Sequence, residues 1–297
     1  MSAMTLEPTQ VRLSRYGAQS MTAPLRDVLL RRPGPAFARA FDDPAHGFRY
    51  PVDIEQAQRE HDSLADLLRR LGARVHLTGG NHLGPDSVYV FDPVLVTRRG
   101  SVRLRPGKPS RLGEEQALEG WLRAAGVPTL GRVEWPGTVE GGDTLWLRPD
   151  LLVVGRSLRT NTAGAAQLAS IVGGHVEVVD MPYYRGPSDV LHLLSVISPV
   201  SDDLAVAFMP LLPAGLVELL AELRIRLLAV DMDEFETLGC NVFAVRPGVV
   251  VVAEGNPMIC ADLAAAGCAV HTFPARQIGL NGSGGPTCLT RPLLRDG

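Results

Sequence analysis

GCNVFAVRPGVVVVAEGNP, Gly239 to Pro257, reads as two β-rich runs parted by Pro247-Gly248, with Asn256-Pro257 opening a helix behind them. One residue able to do chemistry, Cys240, stands directly in front. The same pattern recurs in DSVYVFDPVLVTRRG (86–100), EGGDTLWLRPDLLVVGRS (140–157) and HLLSVISPVSDDLAVAF (192–208). Their turns are expected at Asp-Pro, Pro-Asp and Ser-Asp-Asp. The leading residues, Asp86, Glu140, His192, Cys240 and Cys288, are separated by steps of 54, 52, 48 and 48. A steady period of this size is the signature of a repeat architecture.

Helix signals fall between the hairpins. Asp53 is placed to cap IEQAQREHDSLADLLRRL, which Gly72 stops; EEQALEGWLRAA ends at Gly126. TAGAAQLASIV follows Thr160-Asn161 and ends at Gly173-Gly174, and AGLVELLAELRI is the fourth helix. The fifth opens at Asn256 with Pro257 in its first turn and runs to Gly267. A short β-like run trails each helix: RVHLT, VPTL, HVEVVD, RLLAVD and CAVHTF. The unit is therefore strand–strand–helix–strand. The last unit, led by Cys288, is completed from the opposite chain end by PLRDVLLRRPG (24–34). A ring built this way brings the start of every repeat to one axis, where Asp86, Glu140, His192 and Cys288 would share a pocket.

The chain has 297 residues, 45% of them hydrophobic and 21% charged, enough for a substantial core. One domain is expected over residues 21–297, behind a poorly ordered extension over residues 1–20. A net charge of -3 argues against nucleic acid or an anionic membrane as partner, and the basic stretch Thr97–Arg111 reads as a solvated face. No apolar run reaches the ~18 residues of a membrane span, and the N-terminus lacks a signal-peptide core. Four cysteines without a CxxC pair point to reduced thiols in a cytoplasm, and the histidines show no HExxH spacing. Neither a metal nor a cofactor is expected. Cys260 and Cys268 fall on a helix and at its end, as core residues do.

A thiol, an imidazole and two carboxylates on one axis supply a nucleophile, a proton shuttle and a cation holder. Buried carboxylates need a positive partner, and a guanidinium is the planar cation that suits them. The thiol sits in GSGGPTCLTRP (282–292), whose glycines allow positive φ or close backbone approach. Taken singly, each residue has a plainer reading: Glu140 and Asp143 as turn caps, His192 as a satisfied core histidine, Arg159 as a brace for a helix start.

The segments PDSVYVFDPVL, RPGKPSRLGE, PGTVEGGD, SLRTN, LHL and GGPTCLT together resemble the guanidino-group-modifying superfamily of amidinotransferases and arginine deiminases. They are most similar to the dimethylarginine dimethylaminohydrolases, over nearly the whole chain from about Pro24. The resemblance implies an α/β fold, the five-bladed αβ propeller or pentein of ββαβ repeats with pseudo-fivefold symmetry. It implies a hydrolase that forms a thiouronium intermediate on N-methylated arginine, giving citrulline and an amine. By motif, Cys288 would be the nucleophile and His192 the general acid and base. Glu140 would hold the guanidinium and orient His192. Asp86 and Asp92 would bind substrate, and Arg111 and Arg159 would grip its α-carboxylate. The partner would be a small guanidino amino acid, and a homodimer is compatible with the family. Two departures stand out. Phe91-Asp92 replaces the family's Glu-Asp, which bears on the polar details of recognition. Leu194 stands where the deiminase branch carries aspartate two residues after the histidine; on a strand it would face the substrate beside His192 and favour methylated nitrogens. The alternatives are an arginine deiminase, dihydrolase or amidinotransferase, and, from another class, a propeller of the ribosome anti-association type. The polar, turn-rich segment Phe41–Pro51 is the candidate lid.

Overall fold

Short β-rich runs separated by tight turns form hairpins, and one helix later the chain returns alongside each hairpin as a parallel strand. The computed structural model describes residues 11–79, 83–186, 189 and 191–296. It opens with β1 (Leu25–Arg31), α1 (Ile54–Arg70) and β2 (Arg74–Thr78). The hairpin–helix–strand unit then repeats. The second unit is β3 (Val94–Thr97), β4 (Gly100–Arg103), α2 (Glu114–Ala124) and β5 (Thr129–Arg132). The third is β6 (Thr144–Arg148), β7 (Leu151–Arg156), α3 (Thr162–Val172) and β8 (His175–Asp180). The fourth is β9 (Ile197–Ser201), β10 (Leu204–Ala207), α4 (Ala214–Glu222) and β11 (Arg226–Ala229). The fifth is β12 (Phe243–Arg246), β13 (Val249–Ala253), α5 (Pro257–Ala265) and β14 (Ala269–Phe273), and β15 (Arg291–Arg295) closes the chain.

These strands make five three-stranded sheets among the described residues. In each, the middle strand is antiparallel to its hairpin partner and parallel to the strand after the helix, as β7 is to β6 and β8. The first sheet draws on both chain ends, with β15 antiparallel and β2 parallel to β1. That is the shared unit expected from PLRDVLLRRPG. Middle strands are apolar and buried, as in Val249–Ala253, while the third strands are half exposed. Helix starts follow their caps. The Asp53 carboxylate accepts from Gln56 N at 2.9 Å, and Asn161 Oδ1 accepts from Gly164 N at 2.8 Å.

Two local expectations are corrected. The hairpin of the second unit turns at Arg98-Arg99 rather than at Asp92-Pro93, since β3 begins only at Val94. Asp92 is drawn inward instead, where its Oδ1 accepts from Gly142 N at 2.8 Å. The repeat is therefore led by Asp92 rather than Asp86, which makes its step to Glu140 48 residues, like the later ones. Helix α4 stops at Glu222, short of Ile225, because Arg224 adopts a positive φ of 57°. Helix α5 opens at Asn256 with Pro257 in its first turn, as expected; the Asn256 amide donates to Thr237 O and Ala253 O, and the Glu234 carboxylate accepts from Met258 N and Ile259 N.

Residues 1–10 of the expected N-terminal extension lie outside the described residues. Within 11–20, Leu13 N donates to Ala125 O at 2.9 Å and Gly17 N to Leu293 O at 2.8 Å, so this stretch lies along the outside of α2 and β15. No helix among the described residues is long and apolar enough to cross a membrane.

Candidate active site

The residues that precede each hairpin converge as the period requires. Asp92, Glu140 and His192 offer side-chain atoms lying within 4.8 Å of one another. Glu140 is fully buried just before β6. Its Oε1 accepts from Gly107 N at 3.0 Å and Lys108 N at 3.1 Å, and its Oε2 meets His192 Nε2 at 2.8 Å. Arg159 Nη1 lies 3.3 Å from both oxygens. Both oxygens of Glu140 thus have protein partners, and the contact with His192 Nε2 fixes the orientation of that ring. The ring of His192 lies against Gly142, where a Cβ would fall 2.4 Å from Nδ1, so glycine is needed for this approach.

Burial alone would lower the His192 pKa, but Asp143, Asp92 and Glu140 outweigh it and raise it to about 9. The ring is an imidazolium at neutral pH. Glu140 is also buried, yet His192, Arg111 and Arg159 hold its carboxyl well below the usual range. A carboxylate pair and a histidine are a possible metal set. Here, however, Asp92 Oδ1 takes Gly142 N, its Oδ2 takes Arg111 Nη1 at 2.6 Å, and Glu140 is filled as described. The set is already neutralised by two guanidiniums and an imidazolium, which fits a metal ion poorly.

Cys288 borders the same cavity, a space of about 120 Å³ lined also by Asp86, Asp92, Arg159 and His192. Asn241 Nδ2 donates toward Cys288 Sγ at 3.5 Å, while its Oδ1 accepts from Thr287 N at 3.0 Å. Burial, then the Asp92 charge, push the Cys288 thiol up to about 12. The glycines before it serve close approach rather than positive φ. A Cβ on Gly285 would fall 2.5 Å from Asn241 atoms, and the one positive φ in the loop belongs to Ser283. Cys240 borders the cavity too, but burial alone pushes its thiol to about 12, and its sulfur faces Val206 O.

The two expected carboxylate-gripping arginines differ. Arg111 is 4% exposed and bound on every side: Nε and Nη2 to Glu114, Nη1 to Asp92, and Nη2 also to Tyr89 O. It holds Asp92 in place and has little left for a ligand. Arg159 contacts Glu140 through Nη1 alone among the described residues, and borders the cavity. Asp86 pairs with Lys108 Nζ at 2.7 Å at the cavity wall, next to His46.

Lys108 and Asn241 are site residues that the sequence reading passed over. Lys108 lay within the quoted RPGKPSRLGE, and Asn241 directly follows a leading cysteine. The candidate lid, Phe41–Pro51, contributes His46 and Arg49 to the wall. Asn281 straps it down: Oδ1 accepts from Arg49 N and Tyr50 N at 3.0 Å each, and Nδ2 donates to Tyr50 O at 2.9 Å.

Both departures from the family pattern are relocated. Leu194 lies on a short helix, Leu193–Val196, so it does not share a face with His192 as it would on a strand. It is buried in an apolar cluster with Phe91, Leu145 and Val153, and the argument for methylated substrate from Leu194 falls. The Phe91 side chain belongs to that same cluster and does not line the thiol cavity, although its N–H donates to Cys288 O at 3.2 Å.

A family model for arginine deiminase matches residues 225–295. The chain is 36% identical over 123 residues to N(G),N(G)-dimethylarginine dimethylaminohydrolase of Pseudomonas aeruginosa, a match over 41% of this chain and 48% of that protein. It is 34% identical over 192 residues to the protein of that name from Streptomyces coelicolor, covering 63% of this chain and 70% of the relative. The solved structure of a serine variant of the Pseudomonas aeruginosa protein with citrulline superimposes with a TM-score of 0.75 at 25% identity, over 92% of this chain and all of that one.

Proposed function

The chain belongs to the dimethylarginine dimethylaminohydrolase family of the guanidino-group-modifying superfamily, and on that premise we propose that it hydrolyses N-methylated arginine at the guanidino carbon. The products are citrulline and dimethylamine or methylamine. The observation that carries this reading is the His192 ring, its Nε2 2.8 Å from buried Glu140 and beside Asp92, in a cavity whose wall includes Cys288.

The substrate guanidinium lies against Asp92, whose negative charge it offsets. That cation favours loss of the Cys288 proton to solvent, and the thiolate attacks the guanidino carbon. His192 gives its proton to the departing nitrogen, the C–N bond breaks, and a neutral amine leaves a thiouronium on Cys288. Neutral His192 then takes a proton from water, whose oxygen attacks the same carbon. The C–S bond breaks, the thiolate is restored, and the carbon leaves as the ureido group of citrulline. Arg159 and Lys108 meet the α-carboxylate end, and Asp86 the α-amino end. Arg111 positions Asp92.

This reading takes the five sheets as blades of one closed αβ propeller, a catalytic domain over residues 21–297. It is a cytoplasmic enzyme without metal or cofactor, whose partner is a small guanidino amino acid. A second reading, arginine deiminase, is favoured by the family-model match, which spans Asn241 and Cys288. Incubation with dimethylarginine, monomethylarginine and arginine, with citrulline and the released amines assayed, separates the two. A kcat/KM for dimethylarginine at least tenfold above that for arginine is expected; equal or arginine-favouring values remove the dimethylargininase assignment and leave the thiol chemistry. Mass spectrometry of acid-quenched reactions should place the adduct on the Cys288 peptide, and Cys288→Ser should abolish turnover.

A further inference from the structure

A second cavity lies among the leading strands of four sheets, lined by Arg291 and Arg295 of β15, Trp146 of β6, Phe243 of β12, Leu95 of β3 and neighbouring Ser20. It is lined mainly by apolar groups, yet it holds two arginines that are 2% and 5% exposed. Neither makes a carboxylate contact among the described residues. Arg291 donates to Phe91 O and stacks over the Phe91 ring with its Cζ 3.6 Å from the centroid. Arg295 donates to Ala23 O at 2.6 Å and Ala244 O at 2.7 Å, with its Cζ 5.2 Å from the Phe243 ring centroid. Among the described residues, both guanidiniums have a buried Nε–H without a protein partner, and the buried Trp146 Nε1–H has none either.

Three orphan donors around one cavity are unusual, since buried N–H groups are almost always satisfied. Two buried cations without a counter-charge are costlier still. The cavity leaves about 10 Å³ for the centre of a water-sized particle, room for one. Water answers the donors poorly: it accepts two hydrogen bonds and brings two hydrogens that need acceptors. Ser20 Oγ already takes Thr22 N and Ala23 N, which leaves Thr144 Oγ1, itself donating to Gly141 O, as the one side-chain hydroxyl acceptor among the described lining residues. A monatomic anion accepts from every direction and offsets both charges.

We propose that Arg291, Arg295 and Trp146 form a buried binding site for one halide-sized anion, chloride in the cell, on a face of the sheets separate from the thiol cavity. Burial lowers both arginines to about 9, with the Asp92 charge opposing it at Arg291 and the Arg295 charge adding to it there, and a bound anion would oppose the shift at both. The site locks β15 to β6 and β12, and its effect is on stability rather than turnover.

Trp146 is a reporter within the site. Bromide titrated into the native protein at constant ionic strength, with gluconate as the balancing anion, should quench a buried, blue-shifted component saturably, and chloride should compete. The exposed Trp135 and half-buried Trp121 contribute only a linear component, which Trp146→Phe should leave alone. Chloride at ten times its dissociation constant should raise Tm by about 2–3 °C over gluconate, and Arg295→Met should lose that shift. Bromide-soaked crystals should show an anomalous peak among the three N–H groups. Linear quenching throughout, or bromide peaks only elsewhere, overturns the proposal and leaves the cavity to water, whether or not Arg295→Met folds.

Discussion

Cys288 illustrates how one residue's chemistry depends on what surrounds it. Burial and the Asp92 charge keep the thiol protonated in the free protein, although it is the group proposed to attack. The ligand's own positive charge is what offsets Asp92. Iodoacetamide alkylation of Cys288 without ligand should therefore keep rising with pH beyond 9. A plateau already reached by pH 7 would show a preformed thiolate and remove this account. Leu194 shows the opposite error. A residue two places from the histidine faces the site only if the backbone is extended; one turn of helix turned it into the core. Leu194→Met should leave the dimethylarginine-to-arginine ratio unchanged within about twofold and cost less than about 1.5 kcal/mol of stability.

At the scale of elements, loops are held by single side chains that accept or bridge several backbone groups. Asn281 makes three hydrogen bonds to the segment around Arg49 and Tyr50. Each contributes about 0.5–1.5 kcal/mol net. Asn281→Ala should loosen that wall of the cavity and raise KM about tenfold, with kcat less affected; an unchanged KM would show that the segment takes no part in binding. Glu234 caps α5 from outside its own sequence by accepting from Met258 N and Ile259 N. Glu234→Gln should lower stability by about 1–2 kcal/mol, measured by urea unfolding, because a charged acceptor at a helix N-terminus becomes a neutral one.

Across the whole molecule, two features couple distant parts of the chain. The first sheet is complete only when β15 pairs with β1, residues nearly the full chain apart. A chain ending at Thr290 should therefore lose cooperative thermal unfolding, even though Cys288 is still present. The second is pH. His192, at about 9, and Cys288, at about 12, both have folded pKa values raised above their unfolded ones. Each contributes stability that is fully present below its unfolded pKa, about 6.5 and 8.5, and lost as pH rises toward the folded value. Tm should fall steadily from pH 7 to pH 10, and less steeply in the His192→Gln, Cys288→Ser double variant. Equal slopes would place the alkaline loss elsewhere.

The sequence by itself determined the repeat, the hairpin–helix–strand order and the sheet shared between chain ends. Those follow from local period and turn chemistry, such as Pro149-Asp150 and Pro247-Gly248, and from the caps Asp53 and Asn161. It also named Glu140, His192 and Cys288 as residues that come together near one axis, although it led the second unit with Asp86 where the structure puts Asp92. Only the tertiary structure decided which way side chains face and what they already hold. Arg111 and Arg159 look alike as sequence and both line the cavity, but one is held by Asp92 and Glu114 while the side chain of the other contacts Glu140 alone among the described residues. Arg291 and Arg295 are buried with no carboxylate contact among the described residues, which the sequence around them does not show. Hydrogen-bond saturation and burial are properties of neighbours brought in from other repeats, and no single stretch of the chain contains them.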